Sequence, residues 1–223
     1  MSLHLQRDLD QLRKEILELG SMVETGINNA VRALNDRRPE LTQSVFDAEK
    51  LIDEKEVLIE EYCLKILALH QPVAVDLRFI VVVLKVNNDL ERMGDLAVNV
   101  AKRAVFLSGQ EAIPCPPEFS DQMAKSILAM VHDSLDALVK LDVEMARRVI
   151  AMDDAVDDVN RQMYVALQAL MRDDSTAVER ATSLLSTSRC LERIADLATN
   201  IAEDVIFMVE GEVIRHNTDS ELS

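Results

Sequence analysis

Residues 90–107 read LERMGDLAVNVAKRAVFL and residues 191–208 read LERIADLATNIAEDVIFM, so at a shift of 101 nine of eighteen positions are identical. The match extends upstream. At a shift of 104, Val23, Ile27, Val31 and Leu34 fall on Ile127, Val131, Leu135 and Leu138, while Val45, Glu49 and Asp53 fall on Val149, Asp153 and Asp157. The three-residue change of shift coincides with HQPVAVD (70–76), a turn, where a deletion costs least. Chance likeness between amphipathic helices explains matched apolar residues, but not the matched Glu-Arg, Asp and Asn. The chain is two copies of one unit of about 100 residues, and both copies must fold alike.

That unit is helical. Gly and Pro number five each in 223 residues, and aromatics make up 3% with no Trp. So few turn-formers mean few, long elements built on Leu, Ile, Val, Ala and Met. Leu5, Leu9, Leu12, Ile16, Leu19, Val23, Ile27, Ala30 and Leu34 recur at steps of three and four, one apolar stripe on a helix of about 30 residues. Segments 41–69 and 73–108 follow the same rule, and Phe79 to Leu84 are apolar on every side, which predicts a central position. At about 1.5 Å per residue such helices are roughly 45 Å long, and short connections force antiparallel neighbours. The expected fold is all-α, two tandem pseudo-symmetric antiparallel three-helix bundles. The first repeat spans 1–109, a Pro-rich linker 110–117, the second repeat 118–211 and a C-terminal tail 212–223. Each unit is expected to have its own core, so that a fragment ending near Gly109 folds alone.

Charge excludes several functions. With 24 basic and 40 acidic residues the net charge is −16, and no long basic run offsets it. The field repels a phosphate backbone, so nucleic acid is not an expected partner. The longest apolar run, Phe79 to Leu84, is far below the roughly 20 residues of a membrane span. The N-terminal segment lacks the apolar core of a secretory signal. Cys63, Cys115 and Cys190 have no CxxC spacing and read as idle or buried thiols in a reducing cytoplasm. No Gly-rich phosphate loop, nucleophile elbow or Ser/His/Asp set occurs, so no enzyme is expected.

The polar residues retained in both copies are carboxylates. Glu91, Asp95 and Asn99 stand at i, i+4 and i+8 on one helix face, and Glu192, Asp196 and Asn200 repeat the arrangement. Glu49/Asp53 and Asp153/Asp157 add an i, i+4 pair to each preceding helix. If the second and third helices of a unit are antiparallel neighbours, two carboxylate lines face each other. Oxygen-only ligands suit hard cations such as magnesium, manganese or iron. The plainer account is a solvated acidic face, in which like charges at i, i+4 cost a few tenths of a kcal/mol and Arg92 or Arg193 neutralises them. A di-iron oxidase would need Glu-x-x-His, and none of His4, His70, His132 and His216 has a Glu three residues before it. His70, at a turn, and His216, in the tail, read as surface residues.

Residues 70–104, HQPVAVDLRFIVVVLKVNNDLERMGDLAVNVAKRA, and 191–216, LERIADLATNIAEDVIFMVEGEVIRH, resemble the two signatures of the PhoU family of phosphate-uptake regulators. The resemblance covers essentially the whole chain and implies two pseudo-symmetric three-helix bundles, dimeric and cytoplasmic at the inner face of the membrane. It implies a non-enzymatic adaptor, peripheral to the membrane through its partners. Those partners would be the ATPase of the phosphate ABC transporter and the phosphate-sensing histidine kinase. The adaptor would repress the starvation response and restrain uptake when phosphate is plentiful. The family's E/D-x-x-x-D motifs bind metal, in places as multinuclear iron clusters, and map onto Glu91 and Asp95 and onto Glu192 and Asp196; iron, magnesium, manganese or zinc are the expected cofactors. Leu96 and Leu197 stand where the family commonly has His, and Ala195 replaces a Gly. Glu203 and Asp204 occupy the places of Lys102 and Arg103, which predicts a stronger cation site in the second repeat, with Glu203 part of it. The rivals are a carboxylate-bridged metalloenzyme or metal store, and an acidic helical module with no metal.

Overall fold

The computed structural model describes residues 3–114 and 123–211. It contains α1 (Leu3–Asn35), α2 (Thr42–His70), α3 (Ala74–Ser108), α4 (Ala124–Lys140), α5 (Val143–Asp173) and α6 (Val178–Glu210), with 3-10 turns at Pro39–Leu41 and Ser175–Ala177. No strand occurs among the described residues. Residues 115–117 of the expected linker and the whole tail 212–223 lie outside the described residues. Residues 111–114 carry no secondary structure.

The helices end by identifiable chemistry. Gln71 adopts the left-handed conformation (φ 46°) and its N–H returns to the Leu67 carbonyl, closing α2. Leu141 (φ 55°) closes α4, and Asp142 then caps α5 by accepting from the Met145 N–H at 2.9 Å. Gly211 closes α6 at φ 78°, where only glycine sits without strain. Arg37, between α1 and α2, donates to the carbonyls of Leu107, Ser108 and Gln110 and so caps the far end of α3. A cation there complements the negative end of the helix dipole.

The apolar stripe of α1 is buried from Leu5 through Ala30, as its spacing predicts. Phe79, Ile80, Val82, Val83 and Val86 of α3 are buried over a wide arc of the helix, but Val81 on the opposite side is 38% exposed and Leu84 is half-buried, so the apolar run is not enclosed on every side as expected. The arc is wide because α3 packs against α1 and α2 of its own repeat and also along α6 of the other. A second inter-repeat contact joins α1 to α4. A Cβ built on Gly20 would lie 2.5 Å from Leu135 Cδ1, so only glycine admits Leu135 there without movement. The apolar core therefore runs continuously through both repeats, in place of the two separate cores expected. Lys85 of α3 and Asp204 of α6 form an ion pair of 2.9 Å across this junction, with the Asp204 side chain only 3% exposed.

Candidate functional site

Each repeat packs its second helix against its third, α2 on α3 and α5 on α6. The close approach in the first repeat depends on Gly94, where a Cβ would stand 3.3 Å from Ile52 Cδ1. The equivalent positions in the second repeat are Ala195 and Val156, a methyl gained on one helix and a methylene lost on the other. A polar bond fixes the register beside each junction. Asn87 donates to the Glu56 carbonyl at 2.9 Å, and at the equivalent place Ser188 donates to Asn160 Oδ1 at 2.6 Å.

This packing sets carboxylates from facing helices against each other. In the second repeat Asp153 and Asp157 of α5 meet Glu192 and Asp196 of α6. Burial, reinforced by Asp196, Asp157 and Asp154, pushes the Asp153 carboxyl up to about 6. Burial, then Asp196 and Asp157, raises Glu192 as well. Asp196 is more open to solvent, yet partial desolvation and Asp157 raise it too. Arg189 and Arg193 oppose these shifts and do not cancel them. Asp153 Oδ1 and Thr199 Oγ1 are both buried without a hydrogen bond of ordinary geometry, and the Thr199 hydroxyl lies near enough to oppose the rise of the Asp153 carboxyl. In the first repeat Glu91 is raised by burial and by Asp95, Asp53 and Glu56, with Arg92 opposing. The acidity is less concentrated there, because Asp53 and Asp95 are exposed.

Glu56 is the member that the sequence reading missed. It stands three residues after Asp53 on the same face of α2, and burial with Glu60 and Asp53 raises its carboxyl. Its counterpart in the second repeat is Asn160, so a search for acids present in both copies passes over it. Glu49 is half-buried one turn before Asp53 and is not among the charges acting most strongly on Glu91. Asn99 and Asn200 are half-buried one turn beyond Asp95 and Asp196. Glu203 shares the face of Asp196 and stands about 10 Å further along the axis. Asp204 faces Lys85, and Arg103 donates to the Asn99 carbonyl. Of Lys102, Arg103, Glu203 and Asp204, Asp204 takes part in the junction between repeats. What distinguishes the second cluster is the deeper burial of Asp153, which raises its carboxyl further than burial raises Glu91.

The donor set fits a hard cation: four carboxylates, a hydroxyl beside them, and a buried carboxylate oxygen that lacks a hydrogen bond of ordinary geometry. Among the described residues no three His, Cys, Asp or Glu side chains converge on one point, so a bound ion requires at least one carboxylate to change rotamer. Thiolate ligation is not supported by the free cysteines described. Cys63 is buried and its thiol is pushed up to about 12, and Cys190 is also raised by burial. No helix among the described residues is long and apolar enough to cross a membrane.

Fold and site together define a class: an all-helical tandem repeat with a carboxylate cluster between the second and third helices of each copy. The PhoU domain matches residues 16–104 and again 121–205. The phosphate-specific transport system accessory protein PhoU homolog of Aquifex aeolicus is 36% identical over 213 residues, covering 95% of this chain and 96% of the relative. The phosphate-specific transport system accessory protein PhoU of Escherichia coli K12 is 31% identical over 215 residues, 96% of this chain and 89% of the relative. The crystal structure of PhoU from Pseudomonas aeruginosa superposes with a TM-score of 0.90 at 36% identity, covering 93% of this chain and 99% of that one. The chain belongs to the PhoU family.

Proposed function

We propose that this protein is a non-enzymatic regulator of phosphate uptake and of the phosphate-starvation response. It acts in the cytoplasm as a homodimeric adaptor between the phosphate ABC transporter ATPase and the phosphate-sensing histidine kinase. The observation that carries this reading is the end-to-end likeness to relatives named as accessory to the phosphate-specific transport system. Three features of the chain support it. The charge of −16 disfavours an operator and favours protein partners. No helix among the described residues can span a membrane, so contact with it runs through those partners. The carboxylate clusters bring oxygen donors from facing helices together, as a structural or sensory cation site requires.

In this reading Asp153, Asp157, Glu192 and Asp196 hold a metal ion in the second repeat, and Asp53, Glu56, Glu91 and Asp95 hold one less firmly in the first. The bound ion would neutralise the repulsion between facing helices and fix their spacing. Deletion of the gene, with phosphate-starvation reporters read in phosphate-rich medium, tests the function. The reporters should stay active without the protein and return to repression when it is restored. Normal repression in the deletion strain contradicts the proposal.

A further inference from the structure

Away from the carboxylate clusters, the start of α1 and the end of α2 enclose an open cavity of about 470 Å³. Hydrogen-bond donors dominate its polar lining: His4, Arg7, Gln11, Tyr62, Lys65 and His70. In a chain with a net charge of −16 this is a local reversal of sign, and two of the four histidines in the sequence are here. The one carboxylate in the lining, Asp8, is already engaged. His70 Nε2 lies 2.9 Å from Asp8 Oδ2, and Arg7 lies 3.5 Å from Asp8 Oδ1. The hydrogen bond to His70 and the charge of Arg7 hold the Asp8 carboxyl below its ordinary range. Asp8 therefore orients His70 and touches Arg7 through one nitrogen only, which leaves the other donors of the Arg7 guanidinium and the ammonium of Lys65 for another anion.

The helical hairpin does not need these donors. At the shift of 104, Tyr62, Lys65, Leu69 and His70 correspond to Ala166, Ala169, Asp173 and Asp174, so the other copy of the same fold has small or acidic residues there. His70, which the sequence reads as a surface residue of a turn, is half-buried with its side chain 16% exposed. The volume lies in the range of small-molecule sites and exceeds what a bare oxyanion fills. Tyr62 and Leu69 supply an apolar wall beside the charged groups.

We infer that this cavity binds a phosphate monoester, with the phosphoryl group on Arg7 and Lys65 and the organic part against Tyr62 and Leu69. Arg presents a planar fork suited to phosphate oxygens and Lys a point charge. The site is separate from the carboxylate clusters, so it survives if metal binding there fails.

The test is calorimetric titration of the full chain, in buffer containing a chelator, with phenyl phosphate, inorganic phosphate and phenol. Phenyl phosphate should bind saturably, inorganic phosphate at least tenfold more weakly, and phenol not at all. Arg7→Gln and Lys65→Gln should each weaken phenyl phosphate about tenfold with unchanged melting temperature. Lys102→Gln, an exposed cation on α3, should leave it unchanged. No saturable binding of either phosphate at millimolar concentration overturns the inference, and so does affinity that Arg7→Gln and Lys65→Gln leave intact or that Lys102→Gln lowers equally. Equal affinity for the two phosphates overturns the placing of the organic part.

Discussion

Replacing Asp153 with Asn removes a charge that the fold holds at a disadvantage. A carboxyl titrating near 6 in place of 3.8 carries a penalty of about 3 kcal/mol on its charged form when the shift is taken in full. Solvent reaches part of the side chain and screens it, so about 1 kcal/mol is the realistic scale. The folded state binds the proton more tightly than the unfolded chain. Between pH 3.8 and 6 the folded protein therefore holds more protons, and stability falls as pH rises through this window. Above pH 6 the penalty is fully present; below 3.8 it is gone. Asn at 153 keeps the shape and removes the titration. In chelator-treated buffer at pH 7.5 the variant should melt about 2–4 °C above the wild type. The difference should shrink towards zero as pH is lowered to 4. Manganese should raise the melting temperature of the wild type more than that of the variant, because a cation relieves the same repulsion. A variant that melts below the wild type at pH 7.5, or a difference that does not vary with pH, refutes the account of the cluster.

Other predictions follow from the packing. Gly94→Ala puts a methyl 3.3 Å from Ile52; it should stabilise less than the roughly 1 kcal/mol of helix propensity gained, and adding Ile52→Val should recover the remainder, measured by urea unfolding. Lys85→Ala breaks the bridge to buried Asp204 and should cost about 1–3 kcal/mol in the same assay. Gly211→Ala forces a side chain into φ 78° and should cost about 1 kcal/mol. A fragment of residues 1–109 exposes the α3 surface that α6 covers, so in sedimentation it should form species larger than a dimer, where the full chain stays dimeric.

The sequence revealed most where its two copies agree. The α1 stripe was legible because a single face is buried and the 3.6 period survives over 33 residues. The all-round apolar character of Phe79–Leu84 signalled a central helix. It did not say which neighbour filled the extra face, because the α3–α6 junction pairs unlike residues such as Lys85 and Asp204 and leaves no repeated motif. The same limit explains the site. Asp153, Asp157, Glu192 and Asp196 were readable as two lines at i, i+4, whereas Glu56 was hidden by Asn160 in the other copy. Glu203 was read as a member because seven residues return to the same face, two turns beyond Asp196. The basic cavity was invisible for a further reason. His4, Arg7, Lys65 and His70 are far apart in sequence, and only the antiparallel pairing of α1 with α2 brings them together.

Bound metal per chain is the direct test of the carboxylate clusters as the functional centre. Protein purified without an affinity tag, loaded with manganese or iron and freed of excess, is compared by elemental analysis with two variants. One carries Glu192→Gln and Asp196→Asn, the other Glu91→Gln and Asp95→Asn, and circular dichroism confirms equal helicity. The account predicts metal in the wild type, a large loss in the first variant and a smaller loss in the second. Wild-type protein without metal contradicts the central claim, and a larger loss from the Glu91 pair contradicts the ranking built on the burial of Asp153.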